Sequence, residues 1–337
     1  MKILFYTVFY PSVGGMEAIA EILADEWVHM GHEVTIVTRI PEDPKVAKRS
    51  FTYPVIRNPG VAEFLRQTRE ANVFMQNGIS LRGLWPLLFV RRPYVVKHGI
   101  WYNSPEDTWG FLKRWVSHLA TNIAVSKAVA QSLPGKSTVI YNPYDNEVFH
   151  PEPGVERTKD LVFVGRLVSD KGIDLLLTAL DLLGKRGFHP ALTVIGDGPE
   201  RKELERQAAA SGLNGQVAFV GRKRPLDIAK TLSEHKVMVA PSRWNEPFGI
   251  VALEGIACGC VVIGSSGGGL PEAIGPCGVT FTNGSAEELA EKIELVLTND
   301  ELRSDFQAHA KGHLSELQAT TTAARYLEVI QQAVARR

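Results

Sequence analysis

The segment LVFVG at residues 161–165 begins a second series of short apolar strands in the middle of the chain. It repeats the order that opens the sequence. There, an apolar run at 2–10 is followed by a Pro/Gly loop, an amphipathic stretch at 17–30 and a β-branched run at 34–38. Strands that alternate with amphipathic helices predict a parallel α/β sheet. Two such series in tandem therefore predict two α/β domains.

Both series continue with elements of the same kind. The first half has predicted strands at 94–97, 122–125 and 138–141. The second half has predicted strands at 192–196, 217–220, 237–240 and 261–263, and predicted helices at 173–183, 199–210, 225–234, 249–258 and 287–297. Regular alternation over such a length is typical of Rossmann-like sheets.

The stretch His150–Lys159 contains two prolines and a glycine among charged residues and shows no periodic pattern, which predicts a linker. We therefore assign 1–148 to an N-terminal Rossmann-like domain, 149–160 to the linker and 161–313 to a C-terminal Rossmann-like domain. The remaining stretch, 314–337, is predicted as a C-terminal helix. Its return to the N-terminal domain is an interpretation that the sequence leaves open.

The composition is that of a water-soluble globular protein. Of the 337 residues, 45% are hydrophobic and 22% are charged, and 37 basic side chains balance 37 acidic ones, which gives no indication of a nucleic-acid partner. Three cysteines are too few for a disulfide framework and favour a reducing compartment, so we expect the protein in the cytoplasm. We find no apolar run long enough for a transmembrane helix.

The segment EPFGIVALE at 246–254 carries the strongest chemical signal. Its carboxylates, Glu246 and Glu254, are separated by seven residues across a loop-to-helix junction. If the helix begins near Phe248, the backbone amides around Gly249 form an anion site that the helix dipole strengthens. A diphosphate fits such a site, and a carboxylate can accept hydrogen bonds from sugar or ribose hydroxyls.

A second segment, VGRLVSDKG at 164–172, places Arg166 and Lys171 in a loop between a strand and a helix. Two fixed cations beside a helix N-terminus can stabilise a departing diphosphate, because negative charge grows on the leaving group in the transition state. A solvated surface ion pair is the alternative interpretation of the same two residues.

The 246–254 segment resembles the signature of retaining GT-B glycosyltransferases of family 4, which includes glycogen-synthase-like and mannosyltransferase-like enzymes. The resemblance covers nearly the whole chain, and it implies an α/β GT-B fold with two Rossmann-like domains facing each other across a cleft. It implies that Glu246 contacts donor-sugar hydroxyls and that Glu254 holds the ribose. The residues expected to line the sugar and diphosphate are Phe248, Gly249, Ile250 and Val251.

Other segments are similar to the family's remaining motifs. Arg166 and Lys171 match its phosphate-binding element, and His98 matches a cleft histidine that orients the sugar and supports positive character at the anomeric carbon. The residues expected nearest the donor in the N-terminal glycine loop are Gly14 and Gly15. Those expected around the nucleoside are Gly196, Gly221 and Arg222. From the residues alone, the Gly-Gly pair is also compatible with a simple turn, and His98 with a structural histidine.

The segment Gly78–Arg92 combines apolar residues with Arg82, Arg91 and Arg92. One interpretation is a basic amphipathic helix that contacts an anionic membrane and meets a lipid-linked acceptor. The other is a core helix that precedes the next strand.

The sequence therefore predicts a retaining hexosyltransferase that uses a UDP- or GDP-sugar. The expected acceptor is a glycan or a lipid-linked glycan in cell-envelope polysaccharide synthesis, with peripheral contact at the inner face of the cytoplasmic membrane as an option. No Asp-x-Asp motif lies in a plausible metal site, so we expect no metal and no other cofactor. The alternatives are a nucleotide-sugar epimerase, a phosphorylase and a non-catalytic nucleotide-sugar-binding protein. An NAD-dependent dehydrogenase is disfavoured, because no Gly-x-Gly-x-x-Gly follows the first strand.

Overall fold

The computed structural model describes residues 1–11, 14–44, 46, 49–102 and 108–336. The chain divides into two compact units. The first is Met1–Pro143 together with Leu317–Arg337, and the second is Tyr144–Glu316. Each unit contains one parallel sheet. The stretch expected to be a linker groups with the second unit, and its last two residues already belong to a strand.

The first unit is built on a parallel sheet with the strand order β3-β2-β1-β4-β5-β6-β7. Its strands are β1 (Lys2–Tyr6), β2 (Glu33–Thr38), β3 (Val55–Arg57), β4 (Val73–Asn77), β5 (Tyr94–His98), β6 (Thr121–Ala124) and β7 (Thr138–Val139). Its helices are α1 (Gly15–His29), α2 (Val61–Glu70), α3 (Leu81–Leu84), α4 (Gly110–Ser117) and α5 (Lys127–Ser132). The central strands are buried on both faces, as in other helix-covered parallel sheets.

The last helix of the chain, α13 (Ala319–Ala335), packs on α1 and so does return to the N-terminal unit. The indole Nε1 of Trp27 donates a hydrogen bond to the carbonyl of Ala323 at 3.1 Å. The same indole lies 6.3 Å, centroid to centroid, from the ring of Tyr326. Both aromatic side chains are fully buried, so this contact fixes α13 on the first unit.

The second unit is built on a parallel sheet with the strand order β10-β9-β8-β11-β12-β13. Its strands are β8 (Lys159–Val164), β9 (Leu192–Ile195), β10 (Val217–Gly221), β11 (His235–Ala240), β12 (Val261–Ser265) and β13 (Gly278–Phe281). Its helices are α6 (Ile173–Lys185), α7 (Arg201–Ala210), α8 (Pro225–Ser233), α9 (Ile250–Ala257), α10 (Leu270–Ile274), α11 (Ala286–Thr298) and α12 (Asp300–Ser315). The core of this unit lies where α6 and α11 cover one face of the sheet.

The segment Gly78–Arg92, for which the sequence left two helical interpretations open, does not form one continuous α-helix. The structure has only a single turn of helix, α3, followed by a 3₁₀ turn at Trp85–Leu88. Pro86 explains the interruption, because a proline ring cannot continue an α-helix at an interior position. Leu88, the last residue of the 3₁₀ turn, and Phe89, which follows it, are exposed to solvent. Within the described ranges, no helix is both long enough and apolar enough to cross a membrane.

Candidate active site

The predicted phosphate and sugar residues of the second unit follow two neighbouring strands. Arg166 and Lys171 lie in the loop after β8, and Glu246 lies in the loop after β11. These strands are adjacent at the centre of the sheet, where the chain order reverses. Ligands of open α/β sheets bind at the carboxyl ends of the strands at such a switch point. The topology therefore places the three side chains at one ligand-binding edge.

Lys171 and Glu246 form an ion pair at this edge. The Lys171 Nζ donates to Glu246 Oε1 at 2.5 Å, and the side chains are 33% and 16% exposed. The hydroxyl of Ser242 donates to the same carboxylate oxygen at 2.9 Å. The second carboxylate oxygen of Glu246 can still accept a hydrogen bond from a ligand hydroxyl. Sequence reasoning missed Ser242, although its position just after β11 is a signal for a residue of the site.

Backbone hydrogen bonds hold the two loops in this arrangement. The amides of Arg243 and Trp244 both donate to the carbonyl of Asp170, at 2.9 and 3.2 Å. Gly172 has a φ of 68°, and a Cβ there would overlap the carbonyl oxygen of Pro241. The close approach of these backbones needs glycine at 172, which explains the Lys-Gly pair that ends the loop.

The glycine-rich loop at 267–269 supports Glu246 from the other side. The amide of Gly269 donates to the carbonyl of Glu246 at 2.7 Å, and residues 246 and 268 form a parallel β-bridge. Gly268 has a φ of 67°, and a Cβ there would overlap the Glu246 carbonyl oxygen. These glycines therefore fix the backbone that carries the carboxylate.

Helix α9 begins at Ile250, one residue later than the predicted helix at 249–258. Gly249 is the N-cap, with a left-handed φ of 113°, and the helix proper starts at Ile250. The first amides of an α-helix have no partner inside the helix, so those of Ile250 and Val251 are available to an anion. The side chain of Phe248, one of the residues expected to line the sugar and diphosphate, is only 2% exposed.

Glu254 lies on the second turn of α9 and is partly buried. Burial, with a smaller contribution from the charge of Asp145, raises the pKa of its carboxyl to about 7. This carboxyl is therefore close to half ionised at neutral pH. A hydroxyl donor from a ligand would stabilise the ionised form.

Backbone hydrogen bonds join the loops that follow β8, β9 and β10. The amide of Gly165 donates to Ile195, and the amide of Gly196 donates to Gly221, at 3.0 and 2.9 Å. Gly196 has a φ of 139°, and a Cβ there would overlap the Gly165 carbonyl oxygen. The close approach of the Gly165 backbone therefore requires glycine at 196. Gly221 has a left-handed φ of 74°, which favours glycine. The side chains of Arg166 and Arg222 are exposed at this edge.

In the first unit, the predicted glycine loop leads into α1. Gly14 and Gly15 are exposed, and Gly14 is the N-cap of the helix. Ser12 and Val13 of the same loop lie outside the described residues. The end of the loop is tied to the sheet, because the side-chain Nδ2 of Asn77 donates to the carbonyl of Met16 at 3.2 Å.

His98, expected to face the donor sugar, is completely buried. Its Nε2 lies 2.8 Å from Oδ1 of Asn122, whose amide nitrogen donates to the carbonyl of Ser117. This fixes Asn122 Oδ1 as an acceptor, so Nε2 carries the proton. The Nδ1 then accepts from the Tyr102 hydroxyl at 3.0 Å, and that hydroxyl oxygen accepts from the amide of Ile79.

Both ring nitrogens of His98 are hydrogen-bonded inside the fold, which favours the alternative of a structural histidine over direct contact with a sugar. Burial is the main cause that lowers the pKa of His98 to about 4; the Asn122 hydrogen bond opposes this, and the charge of Lys97 contributes to it. The imidazole is neutral at physiological pH, and its role is to join β5, β6 and the segment after β5.

No group of three or more His, Cys, Asp or Glu side chains that could hold a metal ion is found in the part of the chain that the structure describes. The three cysteines are buried free thiols. Burial raises the pKa of the Cys258 and Cys260 thiols to about 12, so they lie in the core as neutral groups. This agrees with the interpretation of Cys258 and Cys260 as small buried residues.

Residues 145–313 match the family of glycosyl transferases group 1. The chain belongs to this family. It is 26% identical over 340 residues to an uncharacterized glycosyltransferase of Methanocaldococcus jannaschii, with 92% of each chain covered. It is also 31% identical over 169 residues to the D-inositol 3-phosphate glycosyltransferase of Corynebacterium jeikeium, covering 48% of this chain and 40% of the relative.

Solved structures show that this glycosyltransferase has the GT-B fold. Anabaena HepE, crystallised with UDP, superposes with a TM-score of 0.82 at 22% identity, covering 98% of this chain and 100% of HepE. Sucrose-phosphate synthase of Thermosynechococcus elongatus superposes with a TM-score of 0.79 at 21% identity over the full length of both chains.

The glycosyltransferase also contains a buried lysine that the sequence analysis did not single out. Lys97 is 1% exposed, and its Nζ lies 3.4 Å from Oδ1 of Asn77. Asn77 in turn donates to the Thr7 hydroxyl and to Met16, so Lys97 supports the residue that ties down the glycine loop. The sequence feature that could have indicated it is a lysine at the end of the otherwise apolar run 94–97. Burial lowers the pKa of Lys97 to about 7.

We expect Lys97→Met to raise the free energy of unfolding by about 1–2 kcal/mol near about pH 6, and by progressively less towards about pH 9.5. The pKa of Lys97 is lower in the folded state than in the unfolded chain. The cost of burying its charge is therefore fully present below about pH 7, decreases as the pH rises above 7, and is lost once the unfolded lysine is also deprotonated. Urea unfolding at a series of pH values measures this. The control is Lys202→Met, an exposed lysine on α7. A stabilisation by Lys97→Met that increased with pH would contradict the lowered pKa of Lys97.

Proposed function

We propose that this protein is a retaining glycosyltransferase that moves a hexose from a UDP- or GDP-sugar to a glycan or lipid-linked glycan acceptor. Cell-envelope polysaccharide synthesis is the process we propose for it. The observation that carries the proposal is the Lys171–Glu246 ion pair at the switch point of the second sheet. The buried free thiols are compatible with a reducing compartment, and we propose the cytoplasm.

The donor is proposed to bind along the carboxyl edge of the second unit. Arg166, Lys171 and the first amides of α9 would meet the two phosphates, and Glu254 would accept hydrogen bonds from the ribose. We propose that Arg222, which is exposed at the same edge, contacts the base. Because two cations and a helix N-terminus supply positive charge, we propose that transfer needs no metal. HepE was crystallised with UDP and with UDP-glucose, which makes uridine the first base to test.

In the proposed reaction, the bond between the anomeric carbon and the phosphate oxygen breaks, and its electron pair leaves with the nucleoside diphosphate. The acceptor oxygen forms the new bond on the same face of the sugar and passes its proton to the departing phosphate oxygen. Lys171 and Arg166 stabilise the charge that develops there. Glu246 is held by Lys171 and Ser242, which suits a residue that positions sugar hydroxyls better than a covalent nucleophile.

The proposal is tested by calorimetric titration with UDP, GDP, ADP and dTDP in the presence of EDTA. We expect one nucleotide to bind with a Kd in the range of about 1–100 μM, and Glu254→Ala to weaken its binding by about tenfold or more. Absence of binding by all four nucleotides would overturn the proposal. Binding only after EDTA is replaced by a divalent ion would overturn its metal-independent part.

Two alternatives give different results in a second assay with the matching nucleotide sugar. An epimerase would convert the sugar without any acceptor, and a non-catalytic binding protein would bind it without turnover. The proposed transferase releases nucleoside diphosphate faster when acceptor is present. The anomeric configuration of the product, determined by NMR, tests retention directly.

A further inference from the structure

A buried polar cluster lies at the centre of the first sheet, and the proposed reaction makes no use of it. Strands β1 and β4 are adjacent there, and the chain order reverses between them. Thr7 directly follows β1, Asn77 ends β4, and Lys97 is the register partner of Asn77 on β5. All three side chains are buried. They therefore lie at the edge of the first sheet where open α/β sheets bind their ligands.

Asn77 joins the two ends of the glycine loop, which connects β1 to α1. Its Nδ2 donates to the Thr7 hydroxyl oxygen at the start of the loop and to the carbonyl of Met16 at its end, both at 3.2 Å. The Thr7 hydroxyl in turn donates to the carbonyl of Val8 at 2.9 Å. A single side-chain amide therefore sets the separation between the ends of the loop that carries Gly14.

Lys97 fixes the direction in which this amide faces. An ammonium can only donate, so the oxygen of the Asn77 amide must face Lys97 and its nitrogen must face the loop. Nζ of Lys97 and Oδ1 of Asn77 are 3.4 Å apart. An apolar side chain at 97 would leave a buried amide oxygen without this donor. The amide could then turn away from Thr7 and Met16, and both ends of the loop would lose a hydrogen bond.

The charge of Lys97 destabilises the fold. Burial disfavours the ammonium and lowers the pKa of Lys97 to about 7. Methionine is a flexible apolar side chain that would fill this space without burying a charge, so packing alone does not require a lysine here. Strongly shifted pKa values and destabilising polar groups are concentrated at functional sites. The position of Lys97 at the switch point and its link to the glycine loop indicate what its function is.

We propose that Lys97 is a positioning residue for sugar transfer. Through Asn77 it holds the glycine loop in the conformation in which the loop meets the nucleotide sugar, and Lys97 itself does not contact the substrate. The inference rests on the proposed function, because the glycine loop is the part of the first unit expected nearest the donor. Since nucleotide binding is assigned to the second unit, the effect of Lys97 falls on turnover and not on nucleotide affinity.

The first measurement is hydrogen–deuterium exchange of the full-length, unliganded protein at about pH 6. We expect Lys97→Met to accelerate exchange by about tenfold in the segment 8–20, which covers the glycine loop and the start of α1. The matched control is Thr68→Val, which removes another buried hydroxyl of the first unit, one that donates to the Phe64 carbonyl within α2. It should leave exchange in the segment 8–20 unchanged. Unchanged exchange of that segment in Lys97→Met would overturn the proposal.

The second measurement is the steady-state rate of sugar transfer. We expect Lys97→Met to lower kcat by about 10- to 30-fold and to change the nucleotide Kd by less than about twofold. The rate would fall while the stability rises, which loss of folded protein cannot produce. Normal kcat in this variant would overturn the proposal.

A double-mutant cycle tests whether Lys97 acts through Asn77. If it does, the kcat of K97M/N77A should be no lower than that of Asn77→Ala alone, whereas losses that multiply would contradict the proposal. A wild-type protein that transfers no sugar would overturn the proposed function. The exchange measurement would still show whether Lys97 positions the glycine loop, so the two failures are distinguishable.

Discussion

Replacement of Lys171 by alanine is expected to lower kcat by about 100- to 1000-fold, with a much smaller change in the KM for the nucleotide sugar. The ammonium is held 2.5 Å from Glu246 at the ligand-binding edge of the second sheet. Negative charge grows on the leaving diphosphate as the glycosidic bond breaks, so a fixed cation there stabilises the transition state more than the bound substrate. Removal of Lys171 also leaves Glu246 with Ser242 as its remaining side-chain partner among the contacts described above.

The measurement is the initial rate of nucleoside diphosphate release with and without acceptor. Lys185→Ala is the matched control, because Lys185 lies at the other end of α6 and pairs with Asp181 on the surface. Arg166→Ala should also reduce kcat, and Lys171→Arg should retain part of the rate because it keeps the charge. Near-normal turnover by both alanine variants would remove the leaving-group assignment.

The two sheets could be predicted because their strands are short apolar runs separated by loops and amphipathic helices. Strand β4 was missed for a physical reason. It ends in Gln76 and Asn77, which are polar in sequence but buried in the fold. Gln76 accepts a hydrogen bond from Tyr94, and Asn77 bonds to Thr7 and Met16. Burial of these amides depends on partners far along the chain, and no local pattern reveals them.

Prediction of the site was limited in the same way. The motifs located Lys171 and Glu246 separately, but their ion pair depends on β8 lying next to β11, which only the folded sheet shows. The motif that includes His98 gave no indication that Asn122 and Tyr102 occupy both ring nitrogens. The backbone role of Gly268 likewise appears only when the Glu246 carbonyl is seen beside it.

The affinity for a nucleotide sugar is expected to rise about tenfold between about pH 6 and pH 8, and this rise should disappear in Glu254→Gln. Burial and the nearby Asp145 raise the pKa of Glu254 to about 7, so the carboxyl is largely protonated at the lower pH. The ionised carboxylate is the form that best accepts hydrogen bonds from ribose hydroxyls. Binding would therefore favour loss of the proton and grow stronger as the pH rises through 7.

A nucleotide sugar is the right probe, because its diphosphate has no terminal phosphate group that gains a proton near about pH 6. Glu291→Gln, at an exposed site on α11, is the control and should keep the wild-type pH profile. An identical pH dependence in Glu254→Gln would show that another group is responsible.

The stability of the unliganded protein depends on the ionisation of the same Glu254 carboxyl and can be measured independently of nucleotide binding. Because the folded pKa of Glu254 lies above its unfolded value, the cost of its buried charge appears as the pH rises from about 4.5 to 7 and is complete above that range. Glu254→Gln should therefore stabilise the unliganded protein at about pH 8, by up to about 3 kcal/mol, and have little effect at about pH 5. A variant that binds nucleotide poorly yet unfolds at a higher temperature at the alkaline pH would identify Glu254 as a carboxylate kept for ligand binding at the expense of stability.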